Sequence, residues 1–135
     1  MVLVDTNVLL DLFTDDPTWR RWSENAIRDA LVNDTVAINP IIYAEASIGF
    51  PESRVLDRQL DDLTIQRLPL PYEAAFPAGR AFLRYRRAGG QRSAPLPDFY
   101  IGAHAQARGL TLLTRDPSRY RTYFPNVRLV APTGS

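Results

Sequence analysis

Short, unbroken apolar runs set apart by helix-length stretches constrain this chain more than any other feature. Val2-Leu3-Val4, Thr35-Val36-Ala37-Ile38 and Leu110-Thr111-Leu112-Leu113 are too short for buried helices and carry no polar alternation. Strands of that kind are buried on both faces, as in a parallel sheet held between helices. Residues 63–65 and 127–130 read as two further strands. The expected architecture is therefore α/β: a three-layer α/β/α sandwich with a central, mostly parallel sheet. At 135 residues and 45% hydrophobic content the chain suffices for one core, so we expect a single domain over residues 1–135, with 132–135 as a flexible tail.

Between the strands, residues 6–13 form a brief helix, and Asp15-Asp16-Pro17 reads as a stop followed by a capped restart. The next helix, over 17–31, carries Trp19, Trp22, Ala26 and Ala30 on one stripe, suited to the core or to another chain. Asn39-Pro40 opens a helix to about residue 50, in which Ile41, Glu45 and Ile48 share a face directed at protein. Helices over 51–60 and 71–88 follow, the second ended by Gly89-Gly90. Residues 90–97 form a loop placed to close over a substrate. A helix opening at Asp98 ends at Gly109, and its face of Ile101, Gly102 and Ala105 lets it sit close to the sheet.

Four acids stand where this topology meets one edge of the sheet. Asp5 and Asp116 follow strands at their carboxyl ends, the edge at which open α/β sheets bind ligands. Glu45 and Asp98 lie early in helices, which begin at that same edge. Crowded there without cations, the carboxylates would repel one another and their pKa values would rise. A hard divalent cation, Mg²⁺ or Mn²⁺, removes the conflict and accepts a ligand set made of oxygen alone. Asp5 is expected as the central ligand, Asp98 and Asp116 as ligands from across the crevice, and Glu45 as a ligand or an orienter of water, with one or two ions bound. Thr6, Asn7 and Thr114 are expected to hold carboxylates or water in place.

Composition excludes several chemistries. Without Cys there are no disulfides, thiolate ligands or cysteine nucleophiles, which accords with a cytoplasmic location. Without Lys there is no Schiff base and no P-loop lysine, so all 16 basic residues are Arg. No apolar run approaches a membrane span. The net charge of +1 is uneven: residues 1–73 hold 13 acids against six Arg, and residues 74–97 hold five Arg and no acid. Arg80, Arg84, Arg87, Arg92 and, nearer the acids, Arg115 are therefore candidates for a polyanion-binding surface, the alternative being an ordinary solvated face. The lone His104 lies on another side of its helix from Asp98, suited to packing or to surface exposure. A haloacid-dehalogenase phosphatase would need a second acid at Asn7 and a lysine, and a dinucleotide site would need a glycine-rich turn after the first strand.

Val4-Asp5-Thr6-Asn7-Val8-Leu9, the Pro40-x4-Glu45 helix, the stretch from Asp98 to Ala105, and Gly109-x4-Thr114-Arg115-Asp116 together resemble the PIN-domain ribonucleases, particularly the toxins of bacterial VapBC toxin–antitoxin pairs. The resemblance spans essentially the whole chain in the family's order. It implies a Mg²⁺- or Mn²⁺-dependent endoribonuclease whose acids match Asp5, Glu45, Asp98 and Asp116, a transfer or ribosomal RNA substrate, and a homodimer inhibited by a small cognate antitoxin. The alternative is an inactive PIN-like module that binds RNA or protein. Asn39 stands where members often have Ser or Thr. Beyond Asp116, Pro117, Ser118 and Arg119 replace the further acid that sometimes supports the site.

Overall fold

The computed structural model describes residues 1–90 and 96–133. Its five strands are β1 (Val2–Val4), β2 (Val36–Ile38), β3 (Gln66–Arg67), β4 (Thr111–Leu113) and β5 (Leu129–Val130), joined in the order β3-β2-β1-β4-β5. Every pairing is parallel, with Leu3 opposite Ala37 on one side and Leu112 on the other. β1 is thus central, and every residue of β1 and β2 is buried, as their apolar runs require. The chain runs outward from β1 to β3 and then returns past β1 to β4 and β5. With right-handed crossovers, that reversal puts the helices of the two halves on opposite faces.

On the outward half, α1 (Thr6–Phe13) packs against α2 (Arg20–Asn33) and α3 (Pro40–Ser47), with α4 (Ser53–Asp62) leading to β3. On the return, α5 (Ala75–Arg87) packs against α6 (Leu96–Arg108), and α7 (Ser118–Tyr123) lies between β4 and β5. Phe99 of α6, fully buried, meets Phe82, Tyr85 and Tyr123 with ring centres 5.4–5.5 Å apart. Gly102 does serve a close approach, but to an aromatic ring: a Cβ there would lie 2.5 Å from Phe124.

Several elements differ from the sequence expectation. The third strand is Gln66–Arg67, because α4 ends at Asp62 and residues 63–65 are taken up by its C-terminal cap, with Thr64 left-handed. Thr64 has φ +55°, its N–H bonds Asp61 O, and Ile65 N–H bonds back to Leu60 O, which closes the end of the helix and buries Leu60 against Ile65. α2 begins at Arg20, later than Pro17, since the Asp16 carboxylate caps a separate turn through the N–H groups of Thr18 and Trp19. In α3 the buried face is Ile42 and Ala46, whereas Ile48 is 87% exposed, so Glu45 sits on the margin of the packed face. The last strand is shortened to Leu129–Val130. The expected loop over 90–97, with Arg92, and the end of the expected tail fall largely outside the described residues. Among the described residues no helix is long and apolar enough to cross a membrane.

Candidate active site

Asp5 ends β1 and is also the N-cap of α1, accepting the Thr6 N–H on Oδ1 at 2.8 Å. Its Oδ2 accepts two hydroxyls, Thr114 Oγ1 at 2.9 Å and Tyr120 OH at 3.0 Å. Despite three donors, burial pushes its carboxyl up from 3.8 to about 6, and the charge of Asp98 adds to the rise. Burial likewise holds the Tyr120 hydroxyl well above its ordinary range, with the carboxylates of Asp5 and Asp98 adding to it, so it acts as a donor.

The neighbouring turns are locked to the same strand end. Thr6 Oγ1 donates to Glu45 Oε1 at 2.6 Å, linking the start of α1 to α3. Thr114, after β4, accepts the Asp116 N–H at 3.1 Å, while Asn7 spans the gap through Thr114 Oγ1 and the Arg115 N–H. Asp98, in the first turn of α6, receives Arg119 Nη1 on Oδ2 at 2.7 Å. Burial raises the Asp98 pKa, the Arg119 charge opposes this, and the charges of Glu45 and Asp116 reinforce it.

All four acids line one cavity of about 500 Å³, together with Arg119 and Tyr120. Thr6 and Asn7 line it as well, and Thr114 stands behind Asp5. The donor set is oxygen alone, and burial, with a smaller contribution from the Asp98 charge, makes the ionised form of Asp5 costly without a cation. That chemistry fits a hard divalent cation. Among the described residues no three His, Asp or Glu side chains are grouped to hold one ion as they stand. Both Asp5 oxygens accept from donors and Asp98 Oδ2 is paired with Arg119, while each carboxylate keeps a lone pair for a cation.

Tyr120 and Arg119 are site residues that the sequence reading did not assign. The available signal was Tyr120, Tyr123 and Phe124, an apolar stripe at i, i+3 and i+4 that defines α7. Asp11 is also buried, accepting Ser23 Oγ at 2.7 Å and Arg115 Nε at 2.9 Å. The Arg115 guanidinium is therefore held beside the crevice, over the Trp19 ring. Arg80, Arg84 and Arg87 are exposed on α5, with Arg80 stacked on Phe76 and Arg84 over Tyr123. His104 is buried and paired with Asn39 Nδ2 at 3.0 Å, while Asn39 Oδ1 caps α3 through the Ile42 N–H.

Residues 2–125 match the family model described as the PIN domain. The chain belongs to the PIN-domain family. A search of curated proteins finds no match. Among solved structures, this PIN domain resembles VapBC2 from Rickettsia felis bound to a DNA fragment from their promoter, with TM-score 0.73, 21% identity, and 98% and 99% of the two chains covered. A toxin–antitoxin complex from Klebsiella pneumoniae gives TM-score 0.67 at 26% identity, covering 89% of this chain and 90% of that one. FitAcB from Neisseria gonorrhoeae gives 0.68 at 25% identity over all of both chains. The PIN fold here is thus of the type found in VapC toxins of bacterial toxin–antitoxin systems.

Proposed function

We propose that this PIN domain is a Mg²⁺- or Mn²⁺-dependent endoribonuclease and the cytoplasmic toxin of a toxin–antitoxin pair. The observation that carries the reading is the gathering of Asp5, Glu45, Asp98 and Asp116 around one crevice at the carboxyl edge of the sheet. Asp5 would be the central ligand of one or two ions, with Asp98 and Asp116 opposite and Glu45 as a ligand or an orienter of water. A bound divalent ion supplies charge neutralisation at phosphate and activation of water. The chain's own residues set the geometry: Thr114 and Tyr120 fix Asp5, Thr6 fixes Glu45, and Asn7 ties the turn carrying Asp116 to α1. Water and substrate phosphate would complete the coordination, since Mg²⁺ commonly keeps several waters.

Structured RNA with an exposed single-stranded loop, of the transfer or ribosomal class, is the proposed substrate. The carboxyl end of α5 lies beside the start of α6 through the contact of Tyr85 with Phe99, and Arg84 and Arg87 are exposed there, outside the lining of the crevice. They and Arg80 would position the RNA backbone while unstacked bases supply selectivity. Arg92, which lies outside the described residues, is proposed as an RNA contact from the sequence alone. Arg115 would reach RNA only through the edge that Asp11 leaves open. A small cognate antitoxin is proposed from the toxin–antitoxin complex among the structural neighbours, and a homodimer from the family resemblance.

Purified protein freed of any partner should cut pooled cellular RNA with Mg²⁺ or Mn²⁺ and stop when a chelator is added. Undiminished cutting in chelator would exclude the metal mechanism. RNA binding without cutting would make the domain an inactive binding module.

A further inference from the structure

Arg119 stands as a cation among the four acids. Its Nη1 donates to Asp98 Oδ2 at 2.7 Å, and its guanidinium lies 5.2 Å from the ring centre of Tyr85 and 5.6 Å from that of Phe99. Among the described residues that line the cavity, no other side chain is cationic. α7 therefore meets the acids in two ways, with a neutral donor on Asp5 from Tyr120 and a full positive charge on Asp98 from Arg119.

We propose that Arg119 is a resident counter-ion of the crevice: it holds Asp98 Oδ2 until a divalent cation takes that oxygen, and the released guanidinium then receives a phosphodiester oxygen of the substrate. The proposal rests on the metal-dependent reading above. A divalent ion and a guanidinium on one carboxylate oxygen would lie only a few ångströms apart and repel strongly, so their occupancies compete. The rings of Tyr85 and Phe99 support the guanidinium face whether or not Asp98 is bound, so release needs only a swing of the arm. Arg presents a planar fork of donors that matches phosphate, and its charge cannot be lost by deprotonation. Metal binding frees the fork and phosphate engages it, so the two ligands favour each other's binding. A fixed brace makes the opposite prediction: if Arg119 served to orient Asp98 for the ion, its removal would weaken metal binding.

Mn²⁺ titrated calorimetrically into the full chain without RNA separates these cases. Arg119→Gln should bind Mn²⁺ about fivefold more tightly than wild type, the size expected when an ion pair worth ~1 kcal/mol no longer competes. In the same variant, the Mn²⁺-induced ³¹P relaxation of dimethyl phosphate should fall, because the phosphate loses its fork. Arg119→Met keeps an unbranched arm against the two rings and should behave alike if the Gln variant folds poorly. In the wild type itself, Mg²⁺ should shift the Arg119 Nε–H resonance. Unchanged or weaker Mn²⁺ binding in the neutral variants, or an unmoved Arg119 resonance in protein that binds Mg²⁺, overturns the counter-ion role and leaves the metal reading intact. Failure of wild type and variants alike to bind Mn²⁺ overturns both.

Discussion

Replacing Asp5 by Asn should abolish RNA cleavage and at the same time stabilise the metal-free protein. The carboxyl titrates at about 6 in the fold and at 3.8 when exposed. The folded protein therefore holds a proton that the unfolded chain releases, and stability falls as pH rises from about 4 to about 6. At ~1.4 kcal/mol per pH unit, keeping Asp5 ionised at neutral pH costs ~3 kcal/mol. The amide removes that cost and still accepts the Thr6 N–H, but the Thr114 and Tyr120 hydroxyls must turn to accept from its NH₂. A net gain of ~2 kcal/mol remains, equivalent to a rise of ~7 °C in Tm for a chain of this length. Thermal and urea unfolding of both proteins in chelator, from pH 4 to 8, measures the difference directly. It should be largest above pH 7, vanish near pH 4, and shrink when Mg²⁺ binds the wild type alone. A variant that is less stable throughout, or a difference independent of pH, would refute the reasoning.

Tyr120→Phe removes a donor to the ionised form of Asp5, so the Asp5 carboxyl should titrate higher still in an NMR titration, with ~1 kcal/mol lost in urea unfolding at neutral pH. Gly102→Ala drives a Cβ into the Phe124 ring, and a loss of ~1–3 kcal/mol in thermal unfolding is expected while Mn²⁺ affinity holds. Neutralising Arg84 and Arg87 together should weaken RNA binding and lower the slope of log K against log salt by ~1.4, measured by fluorescence titration; an unchanged slope would place the RNA elsewhere.

The sheet and the positions of the four acids were legible because topology alone determines them. Asp5 and Asp116 follow apolar strands and Asp98 lies in the first turn of α6, whereas Glu45, expected early in a longer helix, lies in the last turn of the short α3 and still lines the same cavity. Local chemistry was less legible. Thr64 adopts the left-handed conformation usually taken by Gly, which hid the end of α4 and displaced β3. Ile48 looked like a core residue by spacing, yet α3 ends at Ser47 before that face can be covered. α7 is six residues long and half of its side chains are Arg or Thr, so its short apolar stripe gave no expected element, and Arg119 and Tyr120 stayed unassigned with it. The pairing of Arg115 with Asp11 joins residues 104 positions apart, beyond what periodicity can register.

Anomalous scattering from a crystal grown with Mn²⁺ and a non-cleavable RNA tests the central claim most directly. A Mn²⁺ peak is expected in the crevice within ~2.2 Å of carboxylate oxygens from at least two of Asp5, Asp98 and Asp116, with Glu45 bound directly or through water. A crevice without Mn²⁺ beside ordered substrate phosphate would contradict the account.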